Sequence, residues 1–232
     1  MYLPPGLVGE TARERQATML AEAAADRRRW RVRQAARQAR KAARQARMAA
    51  RPAGAPAAPP RPPVLLRDGS AVLIRPVQES DAPLLADGFG RLSERSRWMR
   101  FLTAKQALST AELRYFTSGD HHDHEALGAL DHSDGRGVAI ARYVRDPAEP
   151  DVAEIALTVA DDWQRRGLGT ELLTRLADRA CQEGIRTFTA LVAADNSAMS
   201  GLLANLSAHL VRRETDTLMY ELVLGCVGRG CA

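Results

Sequence analysis

Apolar positions in the larger, C-terminal part of the chain recur in two patterns, one typical of strands and the other of helices. Short apolar runs between turn-forming residues predict strands at 71–77, 125–131, 136–145, 152–160 and 186–193, with one or two more within 211–224. After the strand at 152–160, one helical face is apolar, formed by Leu168, Leu172, Leu173, Leu176 and Ala180, and Gly184 ends that helix. This order predicts a mixed α/β domain built around one central sheet.

Polar residues mark the starts of further helices, because a first turn has free amides that a side-chain oxygen can satisfy. Ser80 and Asp81 predict a helix through about residue 90, followed by a second helix near 93–101. Ser109 and Glu112 form the S-x-x-E pattern of a capping box and predict a helix that ends near residue 117. A last helix is predicted at 195–206.

The first 63 residues differ in composition from the rest. Residues 9–51 lack proline, consist mainly of strong helix formers and contain the repeat 35-AARQARK-41, 42-AARQARM-48, so 1–51 is interpreted as a basic helical segment. The proline-rich segment 52–63 predicts an extended linker. The predicted folded domain is 64–225, and 226–232 is a C-terminal tail.

Charge divides the chain at the same point. Residues 1–63 hold 14 Lys and Arg against 4 Asp and Glu, whereas 64–232 hold 19 against 24. The net charges are therefore +10 and −5, which sum to the +5 of the whole chain. Three interpretations of the basic segment stay open: a solvated helix rich in arginine because of the gene's base composition, docking on an acidic partner surface, or binding to nucleic-acid phosphates or an anionic membrane.

Other features exclude several classes of protein. No run of eighteen apolar residues predicts a membrane span, and the first ten residues do not resemble a secretory signal. The three cysteines, Cys181, Cys226 and Cys231, predict reduced thiols in a cytoplasmic protein. No metal site is expected at the cysteines or at 120-DHHDHE-125, because a second group of ligands is missing in both cases.

The segment 163-WQRRGLGTELL-173 lies between a predicted strand and a predicted helix. The free amides and the dipole at a helix start attract an anion. Gly167 and Gly169 let that anion approach the backbone, and Arg165 and Arg166 could add charge-assisted hydrogen bonds. The segment therefore predicts a phosphate or pyrophosphate site, although it is neither a Walker loop nor a G-x-G-x-x-G loop.

The order of these elements resembles the acetyl-CoA-binding core of the GNAT family of N-acetyltransferases. Gln164, Gly167 and Gly169 match the family's [RQ]-x-x-G-x-[GA] loop, and Asp195-Asn196 opens the next helix. The motifs 74-IRPVQESD-81, 91-RLSERSRWMRF-101, 108-LSTAEL-113 and 153-AEIALTVADDWQRRGLGTELL-173 are similar to the GNAT domain of bacterial Pat-type protein lysine acetyltransferases. The resemblance covers most of 64–224 and implies the GNAT (acyl-CoA N-acyltransferase) fold, preceded here by the basic helix, with acetyl-CoA as co-substrate.

The resemblance also implies roles for individual residues. Glu154 matches the family's general base, and Asn196 would reach the pantetheine region. In the strand at 152–160, the backbone groups of Leu157, Thr158 and Val159 would pair with the pantetheine arm. The Leu157 amide is the candidate donor to the oxyanion. The cofactor loop would comprise Gln164, Arg165, Arg166, Gly167, Leu168, Gly169 and Thr170, with the amides from Arg165 onward holding the pyrophosphate. Leu203 stands where many GNAT enzymes have a tyrosine acid, so no general acid is assigned.

These features favour acetyl transfer from acetyl-CoA to an amine, with a protein lysine as the acceptor. Two alternatives stay open. One is acetylation of a small amine, such as a polyamine or an aminoglycoside, because an acidic domain suits a cationic substrate. The other is a non-catalytic module that senses acetyl-CoA and uses its basic helix to contact nucleic acid or a protein partner.

Overall fold

The computed structural model describes residues 62–226. The predicted basic helix, the linker through residue 61, and Cys231 lie outside the described residues. Within the described part, every helix is too short or too polar to cross a lipid bilayer.

Eight strands form one sheet with the order β1-β2-β3-β4-β5-β6-β8-β7. Their bounds are β1 Val64–Leu65, β2 Ala71–Pro76, β3 His124–Asp131, β4 Gly137–Arg145, β5 Val152–Val159, β6 Thr187–Ala193, β7 His209–Arg213 and β8 Thr217–Val223. All neighbours are antiparallel except β5 and β6, which run parallel. The prediction of one mixed sheet is confirmed, and the short β1 is an addition that the sequence pattern did not reveal.

Five helices accompany the sheet within residues 62–226: α1 Ala82–Arg91, α2 Glu94–Phe101, α3 Thr110–Thr117, α4 Leu168–Gln182 and α5 Ser197–Asn205. The capping box of α3 is confirmed. The Ser109 hydroxyl accepts from the Glu112 amide at 3.3 Å, and the Glu112 carboxylate accepts from the Ser109 amide at 2.9 Å.

Asp81 is the N-cap residue of α1, as predicted, but the expected cap by its side chain is wrong. Ser80 and Asp81 lie in a short 3-10 turn, Glu79–Asp81, and the Asp81 side chain does not cap α1. Its carboxylate instead forms an ion pair with Arg75 at 2.6 Å, because β2 brings a guanidinium within reach of the turn. The carboxylate also accepts from the Gln78 amide at 2.8 Å, so it closes the turn that precedes the helix.

Helix α4 is packed against the sheet along the predicted apolar face. Its five apolar side chains are each at most 1% exposed: Leu168, Leu172, Leu173, Leu176 and Ala180. They belong to the same core as Tyr143 of β4 and Ile155 of β5. Burial of one leucine contributes roughly 1.5–3 kcal/mol, so this face fixes α4, and the loop that precedes it, relative to β5.

The prediction that Cys181 and Cys226 are free thiols is wrong for this structure. The two residues form a disulfide, with their Cα atoms 5.5 Å apart although 45 positions separate them in the chain. Three cysteines, an odd and small number, did not indicate a disulfide. The fold instead brings the C-terminal end of α4 next to the chain segment that follows β8, which no local spacing indicates.

Candidate active site

A cleft opens in the sheet where β5 and β6 part. The two strands are paired only from Val152 to Glu154 on β5, opposite Thr187 to Thr189 on β6. Both strands continue beyond that point, to Val159 and Ala193. The β5 edge after Glu154 therefore lacks a strand partner on the β6 side, and Glu154 lies at the closed end of the cleft.

The Leu157 backbone faces this open edge. The Ala160 amide donates to the Val138 carbonyl at 2.8 Å, on the β4 side. Because the backbone groups of a strand alternate in direction, those of Leu157 and Val159 face the cleft and those of Thr158 face β4. The Val159 carbonyl already accepts from the Gln164 side chain at 3.2 Å. The Leu157 N–H and C=O are thus well placed for an extended ligand, whereas the Thr158 backbone is not.

The loop after β5 brings a helix start against the same edge. Gly167 precedes α4 with φ +89°, a left-handed conformation that favours glycine. The Glu171 amide makes the first helical hydrogen bond, to the Gly167 carbonyl at 3.1 Å, so the amides before it have no partner within the helix. A Cβ on Gly169 would lie 3.1 Å from a Leu157 methyl and 3.2 Å from a Leu202 methyl, so this glycine permits the close packing.

The Arg166 side chain holds the loop in place instead of standing free for an anion. Its guanidinium lies 2.9 Å from the Asp68 carboxylate, donates to the Asp162 carbonyl at 2.6 Å, and stacks 4.7 Å from the Trp163 ring centroid. The β1–β2 turn is also tied to the loop, because the Arg67 amide donates to the Arg166 carbonyl at 3.3 Å. Arg165, in contrast, is exposed.

Arg67 was missed by the sequence reasoning. Its Nε would lie 3.3 Å from a Cβ on Gly167, so the side chain packs over the glycine at the start of α4. Arg67 is about one hundred positions earlier in the chain, and the contacts of Arg166 with Arg67 and Asp68 on the β1–β2 turn bring it to the loop.

Asn196 and Leu203 have different surroundings. Asn196 is the N-cap of α5, as its position predicted, and its side-chain oxygen accepts from the Met199 amide at 3.0 Å. This bond fixes the direction of the side chain. Leu203 is fully buried in the core and has no polar atom, so it offers no general acid.

The sheet face opposite α4 carries a mainly apolar cavity next to Glu154. Pairing of Arg142 with Ala156, and of Val144 with Glu154, places Arg142 and Glu154 on this same face. The cavity is lined by residues of the helices α1 to α3 and the strands β2 to β5, with polar groups limited to Arg75, Asp81, Arg100, Arg142 and Thr158.

The charges around this cavity are not balanced. Arg75 and Asp81 neutralise each other. Burial, together with the positive charge of Arg142, lowers the pKa of Arg100 to about 10. Burial also lowers the pKa of Arg142, whereas the nearby charge of Glu154 raises the pKa of both arginines. The Glu154 carboxylate, which is exposed, therefore lies within electrostatic reach of two cations.

The run 120-DHHDHE-125 forms a polar turn. One Asp120 oxygen accepts from the amides of His122, Asp123 and His124 at 3.0, 2.8 and 2.9 Å. Glu125 is only 1% exposed; its carboxylate lies 2.8 Å from His121 Nδ1 and 3.4 Å from Arg179 Nε. The contact with Glu125 raises the pKa of His121. These contacts give the run a structural role at the start of β3.

Comparison with known proteins agrees with this geometry. The model of the acetyltransferase (GNAT) family matches residues 94–206. Acetyltransferase PA5475 of Pseudomonas aeruginosa is 38% identical over 143 residues, which cover 61% of this chain and 76% of that protein. Acetyltransferase Pat of Mycolicibacterium smegmatis is 32% identical over 160 residues, covering 69% of this chain and 48% of that protein. The crystal structure of the GNAT domain of S. lividans PAT superposes with a TM-score of 0.66 at 31% identity, covering 70% of this chain and 96% of that domain.

The parted strands and the glycine loop thus define an acyl-CoA-dependent N-acetyltransferase fold. The chain belongs to the acetyltransferase (GNAT) family, whose members use acetyl-CoA as acyl donor. It spans about half the length of the M. smegmatis Pat protein.

Proposed function

We propose that this protein transfers the acetyl group of acetyl-CoA to the ε-amine of a protein lysine, with Glu154 as general base. The observation that supports the proposal most directly is the parting of β5 from β6 immediately after Glu154. It puts a carboxylate at the closed end of a cleft whose edge offers the Leu157 backbone to an extended ligand.

The cofactor would lie along this edge. Its pantetheine arm would pair with the Leu157 backbone, and its pyrophosphate would meet the free amides at the start of α4, from Arg165 to Thr170. Gly167 and Gly169 keep side chains away from that approach. Arg67 lies over Gly167 and would add a cation at the phosphate end. Asn196 would contribute from the start of α5.

The transfer removes two protons from the lysine nitrogen and exchanges a carbon–sulfur bond for a carbon–nitrogen bond. Glu154 accepts a proton from the lysine ammonium, directly or through a water molecule, and frees the nitrogen lone pair. The nitrogen attacks the thioester carbon, and the Leu157 amide stabilises the resulting oxyanion. The carbon–sulfur bond then breaks, the coenzyme A sulfur leaves with its electron pair and takes up the second proton from the attacking nitrogen, and the neutral amide product forms.

The test is transfer of acetyl groups to lysine peptides, measured as release of free coenzyme A thiol. Glu154→Gln keeps the size of the side chain but cannot accept the proton, so kcat should fall by about 10²- to 10⁴-fold while the Kd for acetyl-CoA stays the same. Glu149→Gln, at an exposed residue in the β4–β5 connection, is the matched control and should behave like the wild type. An unchanged kcat in Glu154→Gln would remove this residue from the role of base.

We also propose that the protein works in the cytoplasm, because acetyl-CoA and protein lysines are both available there. Disulfides are rare in that compartment, so the Cys181–Cys226 bond makes the proposal testable. Alkylation of the protein in freshly lysed cells, followed by mass spectrometry, would report the redox state. Full oxidation in the cell would argue for a different compartment.

A further inference from the structure

Two arginines on the sheet face opposite α4, Arg142 and Arg100, differ from Arg75 and Arg145, which are each paired with a carboxylate. Arg75 is paired with Asp81 at 2.6 Å, and Arg145 with Asp123 at 2.8 Å. Arg142 has no such carboxylate within residues 62–226, and its Nε and Nη1 atoms are buried without a hydrogen-bond acceptor. Arg100 likewise forms no ion pair in this part of the chain. Burial lowers the pKa of Arg100 to about 10.

Aromatic stacking does not satisfy these guanidinium groups. The Arg142 guanidinium lies 4.6 Å from the Phe116 ring centroid and 5.0 Å from that of Tyr115. Ring faces attract the flat side of a guanidinium, but its N–H donors point outward in its own plane and still need acceptors. Burial is the main influence on the pKa of Arg142 and lowers it, with a smaller opposing contribution from a hydrogen bond to Tyr115. Although the Glu154 carboxylate lies within electrostatic reach, the site therefore lacks a negative group in hydrogen-bond contact with Arg142.

That negative group is not the pyrophosphate of the cofactor. Gly169, in the first turn of α4, contacts the Leu157 side chain. Leu157 and Ala156 are neighbours on β5, so their side chains point to opposite faces of the sheet. Arg142 is paired with Ala156 and hence lies on the face away from α4. Arg100 and Arg142 line the cavity on that face, where the acceptor would approach Glu154.

We propose that Arg142 and Arg100 bind a carboxylate of the acceptor, so the preferred substrate carries a carboxylate close to its reactive amine. This inference rests on the proposed function and specifies the class of acceptor: a lysine with a free α-carboxylate or with an acidic neighbour. A guanidinium binds a carboxylate through two parallel hydrogen bonds, which fixes direction as well as position. The apolar lining of the cavity suits the aliphatic chain between carboxylate and amine, and directs the amine towards Glu154.

The test uses two acceptors that differ in one group, Nα-acetyl-lysine and its amide, Nα-acetyl-lysinamide. A second pair is a lysine peptide with glutamate beside the lysine and the same peptide with glutamine. The full-length wild-type protein should use the carboxylate form of each pair with a kcat/KM at least about tenfold higher, mainly through a lower KM.

The variants separate binding from folding. Arg142→Gln should bring the ratio between the two forms close to one, because only the carboxylate form loses a partner. Arg142→Lys, which keeps the charge, should restore part of the preference, and Arg100→Gln should reduce it. Arg114→Gln changes an exposed arginine on the neighbouring α3 and should leave the ratio unchanged. The Kd for acetyl-CoA should stay constant throughout.

Several results would overturn the inference while leaving the proposed function intact. One is that the wild type uses both forms equally, and another is that Arg142→Gln loses activity equally towards both forms. A third is that the protein does not discriminate between acceptors but prefers succinyl-CoA to acetyl-CoA in a way that depends on Arg142. Failure to acetylate any amine would instead contradict the proposed function. Calorimetry then provides a separate readout, since Nα-acetyl-lysine should still bind the wild type more tightly than Arg142→Gln.

Discussion

An arginine at the loop before α4 and an arginine in the cavity next to Glu154 differ in how many partners the rest of the protein provides for their guanidinium groups. At the cofactor loop, Arg166 is held by the Asp68 carboxylate, the Asp162 carbonyl and the Trp163 ring. In the acceptor cavity, Arg142 has two buried N–H groups without acceptors, and only aromatic rings and Tyr115 support it.

This difference separates a structural arginine from one that is available to a ligand. A guanidinium with a full set of protein partners contributes to stability and has little left to offer an anion. A buried guanidinium without such partners lowers the stability of the fold, and a bound ligand that carries a carboxylate would offset this loss. Arginine content alone would have suggested the reverse, because the loop motif contains two adjacent arginines, whereas Arg142 belongs to no motif and Arg100 lies in the segment 91–101, for which no binding role was predicted.

The largest expected effect comes from the loop glycines. Gly167 and Gly184 stand at opposite ends of α4 with nearly the same φ, +89° and +82°, so alanine strains both by about 1–2 kcal/mol. Only at Gly167 would the new methyl group meet Arg67 and the approaching phosphate. Gly167→Ala should therefore raise the Kd for acetyl-CoA by about tenfold or more, whereas Gly184→Ala should lower only stability. Calorimetry measures the Kd, and urea unfolding measures the stability. Equal Kd values for Gly167→Ala and Gly184→Ala would mean that the phosphates bind elsewhere.

Replacing Arg166 and Arg142 should change the free energy of unfolding by a smaller amount and in opposite directions. Arg166→Met removes a partly exposed ion pair and a hydrogen bond, so the free energy of unfolding should fall by about 1 kcal/mol. Arg142→Met keeps an apolar stem against the rings but removes the unpaired donors, so the free energy of unfolding should rise by about 1 kcal/mol. Urea denaturation checks both. If Arg142→Met were the less stable variant, the distinction between paired and unpaired arginines would be lost.

The smallest effect concerns a charge that the protein itself satisfies. The hydrogen bond with Glu125 raises the pKa of His121 in the folded state above its ordinary value of 6.5. The protonated form therefore stabilises the fold fully below pH 6.5, and this contribution is lost as the pH rises through the folded pKa. Because the His121 side chain is 48% exposed, we expect no more than about 0.5 kcal/mol.

Comparison of the wild type with His121→Gln by urea denaturation tests this. The difference in the free energy of unfolding should be largest near pH 5.5 and should shrink above pH 7. A difference that stays constant across this range would show that the contact does not depend on the charge of His121. Peptide acetylation should remain the same in the variant, because His121 belongs to the turn before β3 and not to β5 or the loop that precedes α4.

Local patterns predicted much of the fold. The strand from Val152 to Val159, the apolar face of α4 and the capping box of Ser109 and Glu112 all depend on residues close together in the chain, and the structure confirms them. The glycines of the cofactor loop belong to the same class, because left-handed backbone and close approach are properties of the residue itself.

Predictions failed, or could not be made, where side chains of different elements meet. Asp81 pairs with Arg75 instead of capping α1, and Cys181 reaches Cys226 across 45 positions. The position of Arg67 over Gly167 depends on a turn almost one hundred residues earlier. None of these contacts has a local signature, since each depends on the order and spacing of strands in the sheet.

The sequence by itself determined most of the elements and the glycine loop, because periodicity, capping and backbone freedom act over a few residues; the acyl-CoA site at that loop was predicted from the resemblance to the GNAT family. The tertiary structure alone decided where β5 leaves β6, which arginines find a carboxylate and which do not. Charges are paired or left unpaired by the approach of separate strands and helices, and that approach is settled only when the whole core packs.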